Sequence, residues 1–280
     1  MRDGAAQDHG LFGPGSVTWR IMGEPVLIIG GLRALLLQAL HPHSMWGTAQ
    51  NSDLMDPDAA WARLGRTIEF VGVRTWGETA EVERVGRRVR KLHAKLSGVD
   101  QRTGESFALD DPENLLWVHL GEVDSYLDIA RRAGVRLSPE DCDRFVDEQR
   151  RSAEVVGLDP AGVPASVEEM ADYYRAMRPH LYACHEARQG LWRLVDPAVP
   201  MPFALLKPAA PPLAALVVST LPRWARRMYG LPGLPTSDLA ATLTLKTLHR
   251  ATGLVPPALR YPPEARRAHE LTREALSRAA

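Results

Sequence analysis

Cysteine is scarce. The 280 residues hold only two, Cys142 and Cys184, and Cys142 lies in the charged run Glu140-Asp141-Cys142-Asp143. Two cysteines cannot make a disulfide framework, and this usage fits a reducing compartment. A surplus of charge is also missing. Lys and Arg number 34 against 34 Asp and Glu, so the chain as a whole carries no footprint for nucleic acid. Long apolar runs are absent too. The stretch from Val26 to Leu40 is interrupted by Arg33, and that from Leu213 to Leu221 is bounded by prolines. Neither reaches the roughly 20 apolar residues of a membrane-spanning helix. The first fifteen residues, MRDGAAQDHGLFGPG, lack the apolar centre of a signal peptide. A cytoplasmic protein is expected, with peripheral membrane contact at most.

Chemical signatures are missing as well. No GxxxxGK[ST] loop, GxGxxG turn or GxSxG elbow occurs, so P-loop, dinucleotide and α/β-hydrolase readings lose their support. None of the nine histidines has Glu three residues before it, and no Cys-x-x-Cys exists. A helical di-iron site and structural zinc are thereby disfavoured. Alternating strand patterns and hairpin turns are scarce.

Helical spacing recurs instead. Trp61, Leu64, Ile68 and Val71 make one stripe, Val85, Val89, Leu92 and Leu96 a second, and Leu116, Leu120, Val123 and Leu127 a third. Ser138-Pro139-Glu140 reads as an N-cap with proline in the first turn, and Ser166-Val-Glu-Glu169 as a capping box. These signals predict helical segments at 16–40 (broken near Gly23-Pro25 and Gly30-Gly31), 56–75, 78–97, 111–134, 138–156, 166–188, 210–229, 235–252 and 261–279. A proline-dense crossover spans 197–212. Because neither flank can bury a full face alone, residues 1–280 read as a single globular, multi-helix, all-α domain.

Four constellations could carry chemistry. On a helix, Gly86, Arg90, His93 and Ser97 form one stripe beside the apolar one. A flat, apolar, doubly anionic ligand would suit it, with imidazole on a metal, glycine admitting a macrocycle and arginine pairing with carboxylates. The plainer reading, which the pattern alone favours, is a solvated basic helix with a boundary histidine. From Arg84 to Lys95 that helix carries six basic residues and no acidic one. Arg63, Arg66 and Thr67 share a second face, continued by Phe70 and Arg74; a surface patch paired to Glu69 or to Asp53–Asp58 is the alternative. Third, His119 and Glu122 lie one turn apart near Tyr126, either as a ligand or acid/base pair or as an ordinary polar contact. Fourth, His41-Pro42-His43-Ser44 reads as a helix terminator or as a pair of ligands.

Together these segments resemble one family. The run Gly10-Leu-Phe-Gly-Pro-Gly-Ser-Val-Thr-Trp19, then Leu35-Leu-Leu-Gln-Ala-Leu-His-Pro42, is similar to the opening of the MpaB/latex-clearing-protein, or rubber oxygenase catalytic domain, family. Arg63-x-x-Arg66-Thr67, Val89-Arg-Lys-Leu-His93, Leu116-Trp-Val-His119 and Val123-Asp-Ser125 continue it in order. The resemblance implies an all-helical fold holding one haem b, and oxygenases that cleave isoprenoid carbon–carbon double bonds with O2. Carried over by residue, it makes His93 the iron ligand, with Arg90 beside it and Arg63, Arg66 and Thr67 around the haem; Gly86 is placed beside the macrocycle by the helical stripe alone. His119 is the runner-up ligand. Two positions depart from the family pattern. Arg66 stands where rubber-cleaving relatives tend to have lysine, and a guanidinium is a poor iron ligand. Glu122 stands where a hydroxyl or apolar residue is expected, adding an acid/base group. The resemblance thus implies a haem b-dependent oxygenase acting with O2 on a small, largely apolar metabolite. A haem peroxidase or peroxygenase, or a non-catalytic haem- or lipid-binding module using Leu213–Tyr229 as a peripheral helix, is the alternative; for that segment itself a core helix with a basic end is the favoured reading.

Overall fold

Helical spacing of the apolar residues is realised almost throughout. The computed structural model describes residues 8–52, 56–199, 203–256 and 263–279. Their helices are α1 (Val17–Met22), α2 (Leu27–Gln38), α3 (Pro42–Asn51), α4 (Pro57–Trp76), α5 (Thr79–His93), α6 (Pro112–Ala133), α7 (Pro139–Val156), α8 (Val167–Met177) and α9 (His185–Val195). After the crossover come α10 (Ala210–Thr220), α11 (Arg223–Met228), α12 (Pro235–Gly253) and α13 (Pro263–Ala279). The fold is all-α, with one short antiparallel hairpin of β1 (Ser97–Val99) and β2 (Ser106–Ala108) among the described residues.

Local chemistry sets the helix ends. Asp111 accepts from the Glu113 and Asn114 amides ahead of α6, and Ser138 and Asp141 form a complete capping box on α7. Gly134 and Gly157 close the same two helices at φ 89° and 102°, a left-handed conformation that glycine adopts without steric cost. Ser166 caps α8 as expected, but Glu169 reaches back to the Ala165 amide rather than to Ser166.

The long central helix α6 carries the core. Trp117, Leu120 and Ile129 are fully buried on it, against Leu37 and Leu40 from α2 and its end and Phe145 from α7. Close approach of α2 and α6 depends on Gly121, where a Cβ would lie 2.9 Å from Gln38 Cγ. Four charged groups are buried with partners among the described residues, Arg74 with Glu122 of α6 and the three that follow. Arg33 bonds Asp124 at 2.8 Å, Ser125 Oγ at 2.7 Å and the Thr220 carbonyl at 3.2 Å. Glu148 of α7 accepts the Val17 and Thr18 amides at the start of α1. Arg226 donates to Ser237 and Asp238, both at 2.5 Å.

Several segments differ from the sequence reading. His41-Pro42 starts a helix, α3, rather than only ending one: Pro42 fills the first turn, where its missing amide costs nothing. Gly30-Gly31 does not break α2, because α6 packs on it. The 78–97 segment ends at His93, and Ser97 lies in β1, so it leaves the His93 stripe. The 166–188 segment is two helices with a turn at 178–184, and 210–229 divides at Leu221-Pro222. Leu213–Tyr229 is the core element its favoured reading makes it, not the peripheral helix of the alternative, since Val217, Leu221, Ala225, Arg226 and Tyr229 are buried. Residues 200–202 of the crossover and the start of the 261–279 segment lie outside the described residues.

Candidate active site

Helix α4 is anchored at its C-terminal end and open along much of its length. Arg74 and Thr75 are buried there, and Trp19 Nε1 donates to the Thr75 carbonyl at 2.8 Å. Thr67 and Ile68 lie seven residues earlier, on the same sides of the helix, yet both are exposed. The inward face of α4 thus runs out over open space, and its stripe of Trp61, Leu64, Ile68 and Val71 is not buried as its pattern predicts. Helix α2 shows a matching surface. Ile28 and Leu35 are 59% and 43% exposed, with Gly31 and Leu32 half-buried between them. Apolar residues left open on α2, whose described sequence is apolar but for Arg33 and Gln38, suit a cleft or an interface better than a solvated surface.

Polar groups of α6 close one end of this space. His119, Glu122 and Tyr126 lie at i, i+3 and i+7 and share a face. Arg74 reaches down from α4 and grips both carboxylate oxygens of Glu122, its Nη1 at 3.2 Å from Oε2 and its Nη2 on Oε1. His119 is 4% exposed and its Nε2 is sealed without a hydrogen-bond partner. Burial, and then the Arg74 charge, push its pKa down to about 3, so it is neutral. Burial first, then the Glu122 charge, raises the Tyr126 phenol, which stays protonated; Arg74 opposes weakly.

His93 stands at the end of α5, half-buried, with Nδ1 sealed and unpartnered. Burial depresses its pKa, the Asp110 charge opposes this and the Arg63 charge adds to it. Arg63 is close enough to His93 to be felt, yet its hydrogen bonds among the described residues are to hydroxyls only, Ser52 Oγ at 3.0 Å and Thr48 Oγ1 at 3.2 Å. Burial and the neighbouring Arg66 lower its pKa. Of the acidic stretch Asp53–Asp58 expected to pair with these arginines, residues 53–55 lie outside the described residues. Arg66 is exposed, and Thr67 returns its hydroxyl to the Arg63 carbonyl at 3.1 Å. Arg63 and Arg74 are eleven residues apart on α4, about 16 Å at the helical rise, so His93 and His119 sit toward opposite ends of one stripe.

Two expected neighbours of His93 face elsewhere. Gly86 packs against α7, where a Cβ would stand 2.9 Å from Val155 Cγ1 and 3.0 Å from its carbonyl oxygen. Arg90 donates to that same carbonyl at 2.7 Å. Both serve the α5–α7 junction rather than the cleft. The fourth constellation is a support for the hairpin. His43 stacks on Phe107 at 4.2 Å and bonds Asp100 at 3.1 Å. No group of three or more His, Cys, Asp or Glu that could hold a metal occurs among the described residues. Two residues carry more than the sequence suggested: Arg74, visible only as the far end of the Arg63 face, and Tyr126, visible only as a neighbour of Glu122.

The class is therefore an all-helical domain in which α2 and α4 each leave apolar residues exposed, with Arg63 near His93 and Arg74 near His119. Residues 19–255 match the family model described as ER-bound oxygenase mpaB/B'/Rubber oxygenase, catalytic domain. The chain belongs to that family, and its activity is that of an oxygenase in the general sense. No curated protein and no solved structure matches it. No helix among the described residues is long and apolar enough to cross a membrane.

Proposed function

We propose that the protein is a haem b-dependent oxygenase that uses O2 on a small, largely apolar metabolite. The observation that supports this most is the pairing at one end of the cleft: His93, with a sealed and unpartnered ring nitrogen, beside Arg63, which has no carboxylate partner among the described residues. A neutral imidazole is the metal-binding form, and burial together with Arg63 keeps His93 neutral. A half-buried guanidinium answered, among the described residues, only by hydroxyls suits a carboxylate, and a haem brings two. We take the exposed apolar residues of α2 and α4 as the walls of one cleft, which suits a macrocycle and an apolar substrate. These residues fit the group; Gly86 and Arg90 do not contribute to holding it.

When bound, the haem supplies dioxygen activation, while the protein supplies the axial ligand, the pocket's polarity and the exclusion of water. His93 would hold the iron and Arg63 would pair with a carboxylate of the haem. Arg66 and Thr67 flank the cleft from α4, with Arg66 positioned to order water or an anion at its edge. Glu122 is committed to Arg74 and acts as an acid/base group only through that pair; His119 lies beside it. Isoprenoid-type double-bond cleavage is the family's chemistry and the first activity to assay.

The test is an absorbance spectrum of protein reconstituted with haem. Wild type gives a Soret band, and His93→Ala loses it or shifts it strongly while His119→Ala keeps it. The reverse result moves the ligand to His119, and no band in wild type overturns the haem assignment. Consumption of O2, rather than of added peroxide, during turnover separates oxygenase from peroxygenase chemistry.

A further inference from the structure

Tyr126 is set apart from the other tyrosines whose surroundings are described on this side of the core. Tyr174 and Tyr229 donate to the Leu120 and Leu36 carbonyls at 3.0 and 2.6 Å, and the Tyr173 hydroxyl is sealed. The Tyr126 hydroxyl has no hydrogen-bond partner among the described residues and is not sealed. Its ring is fixed by glycine. A Cβ at Gly30 would lie 3.0 Å from Tyr126 Cδ1, so only glycine admits the ring against α2 without displacing it. At Gly31 the same construction lies 3.9 Å from the phenol oxygen. Gly31 belongs to the half-open stripe of Ile28, Leu32 and Leu35, so the hydroxyl emerges on an apolar wall.

Of the polar groups around it, Arg74 and Glu122 satisfy each other and His119 Nε2 is sealed without a partner, while His119 Nδ1 has no hydrogen bond among the described residues. The protonated phenol is a directional donor held in place between α2 and α6. An oxygen buried against this surface gives up its water, and a donor placed to replace that water favours a ligand that carries one.

We infer that Tyr126 is a specificity-determining residue that donates a hydrogen bond to an oxygen of the substrate, so the substrate is an oxygenated hydrophobe, such as a ketone, ester or ether, and not a plain hydrocarbon. This rests on the cleft being the substrate site. The probes are methyl nonyl ketone and undecane, which match in carbon number, measured by headspace partition onto the purified protein. Wild type should bind the ketone about tenfold more tightly than Tyr126→Phe does, the size of one net hydrogen bond, while undecane binds the two proteins alike. Tyr126→Phe keeps the ring beneath Gly30, so it should fold with an unchanged thermal midpoint. Ketone binding that is the same in both proteins, or undecane binding that falls as much as ketone binding does, overturns the assignment and leaves the cleft standing. Binding of neither probe overturns the cleft reading and the assignment with it.

Discussion

Arg74 and Glu122 neutralise each other beneath α4, with side chains only 5% and 15% exposed. Neither charge has another described ion pair, so each depends on the other. Arg74→Ala or Glu122→Ala alone strands a buried charge and should cost about 3–5 kcal/mol. The double substitution Arg74→Met with Glu122→Leu should recover most of that loss, because two apolar residues need no partner. Denaturant unfolding of the three variants checks this; additive losses would show that the pair is not a unit.

Gly86 offers a test of what belongs to the cleft. Gly86→Ala drives a methyl group against Val155 and should destabilise by about 1–3 kcal/mol through displacement of α5 from α7. Haem affinity per folded molecule should be unchanged, since the glycine faces away from the open side. A large fall in haem affinity at constant fold would put Gly86 back at the cofactor.

His41 should make stability sensitive to pH. It is 5% exposed, and burial, with His43 next and His180 last, pushes its pKa down to about 4 against the opposing charge of Asp111. In the unfolded chain it takes a proton below about pH 6.5, whereas the folded protein does not. Stability is therefore full above that value and falls as pH drops, by up to about 1.4 kcal/mol per unit, until the folded state protonates as well. His41→Gln should flatten the curve between about pH 6 and pH 4.5, measured by thermal or urea unfolding across that range.

Glu148 holds the start of α1 from across the chain, through the Val17 and Thr18 amides and the Thr18 hydroxyl at 3.2, 2.8 and 2.8 Å. Glu148→Ala leaves these buried donors without an acceptor and should cost about 2–4 kcal/mol. Hydrogen exchange should speed up in α1 before it does in α6. Uniform exchange across both helices would contradict a local capping role.

Local rules carried much of this architecture. Proline in the first turn, Asp or Ser before it and glycine after it placed α6 and α7 to within a residue or two. What escaped was decided by partners distant in the chain. Gly30-Gly31 looks like a break until the Tyr126 ring is placed against it, and Arg33 looks like an interruption until Asp124 and Ser125 surround it. Three-residue strands are too short to show alternation, so the hairpin after His93 left no pattern. At the site, the shared faces of Arg63 with Thr67 and of His119 with Glu122 could be read from spacing. The partner of Arg74 could not, because it lies 48 residues away on another helix. The direction of Gly86 and Arg90 could not be read either, since a helical stripe says which residues point together but not toward which neighbour.

The half-open face of α4 has a thermodynamic corollary. Apolar area that a folded chain leaves in water adds nothing to its stability until something covers it. A bound molecule in the cleft would act as the missing layer beneath Leu64, Ile68 and Val71, raising the melting temperature by an amount set by its concentration relative to its dissociation constant. Thermal shift is then a ligand screen that needs no knowledge of the reaction. The amides most protected by a true occupant should be those in the middle of α4, ahead of the Arg74 anchor.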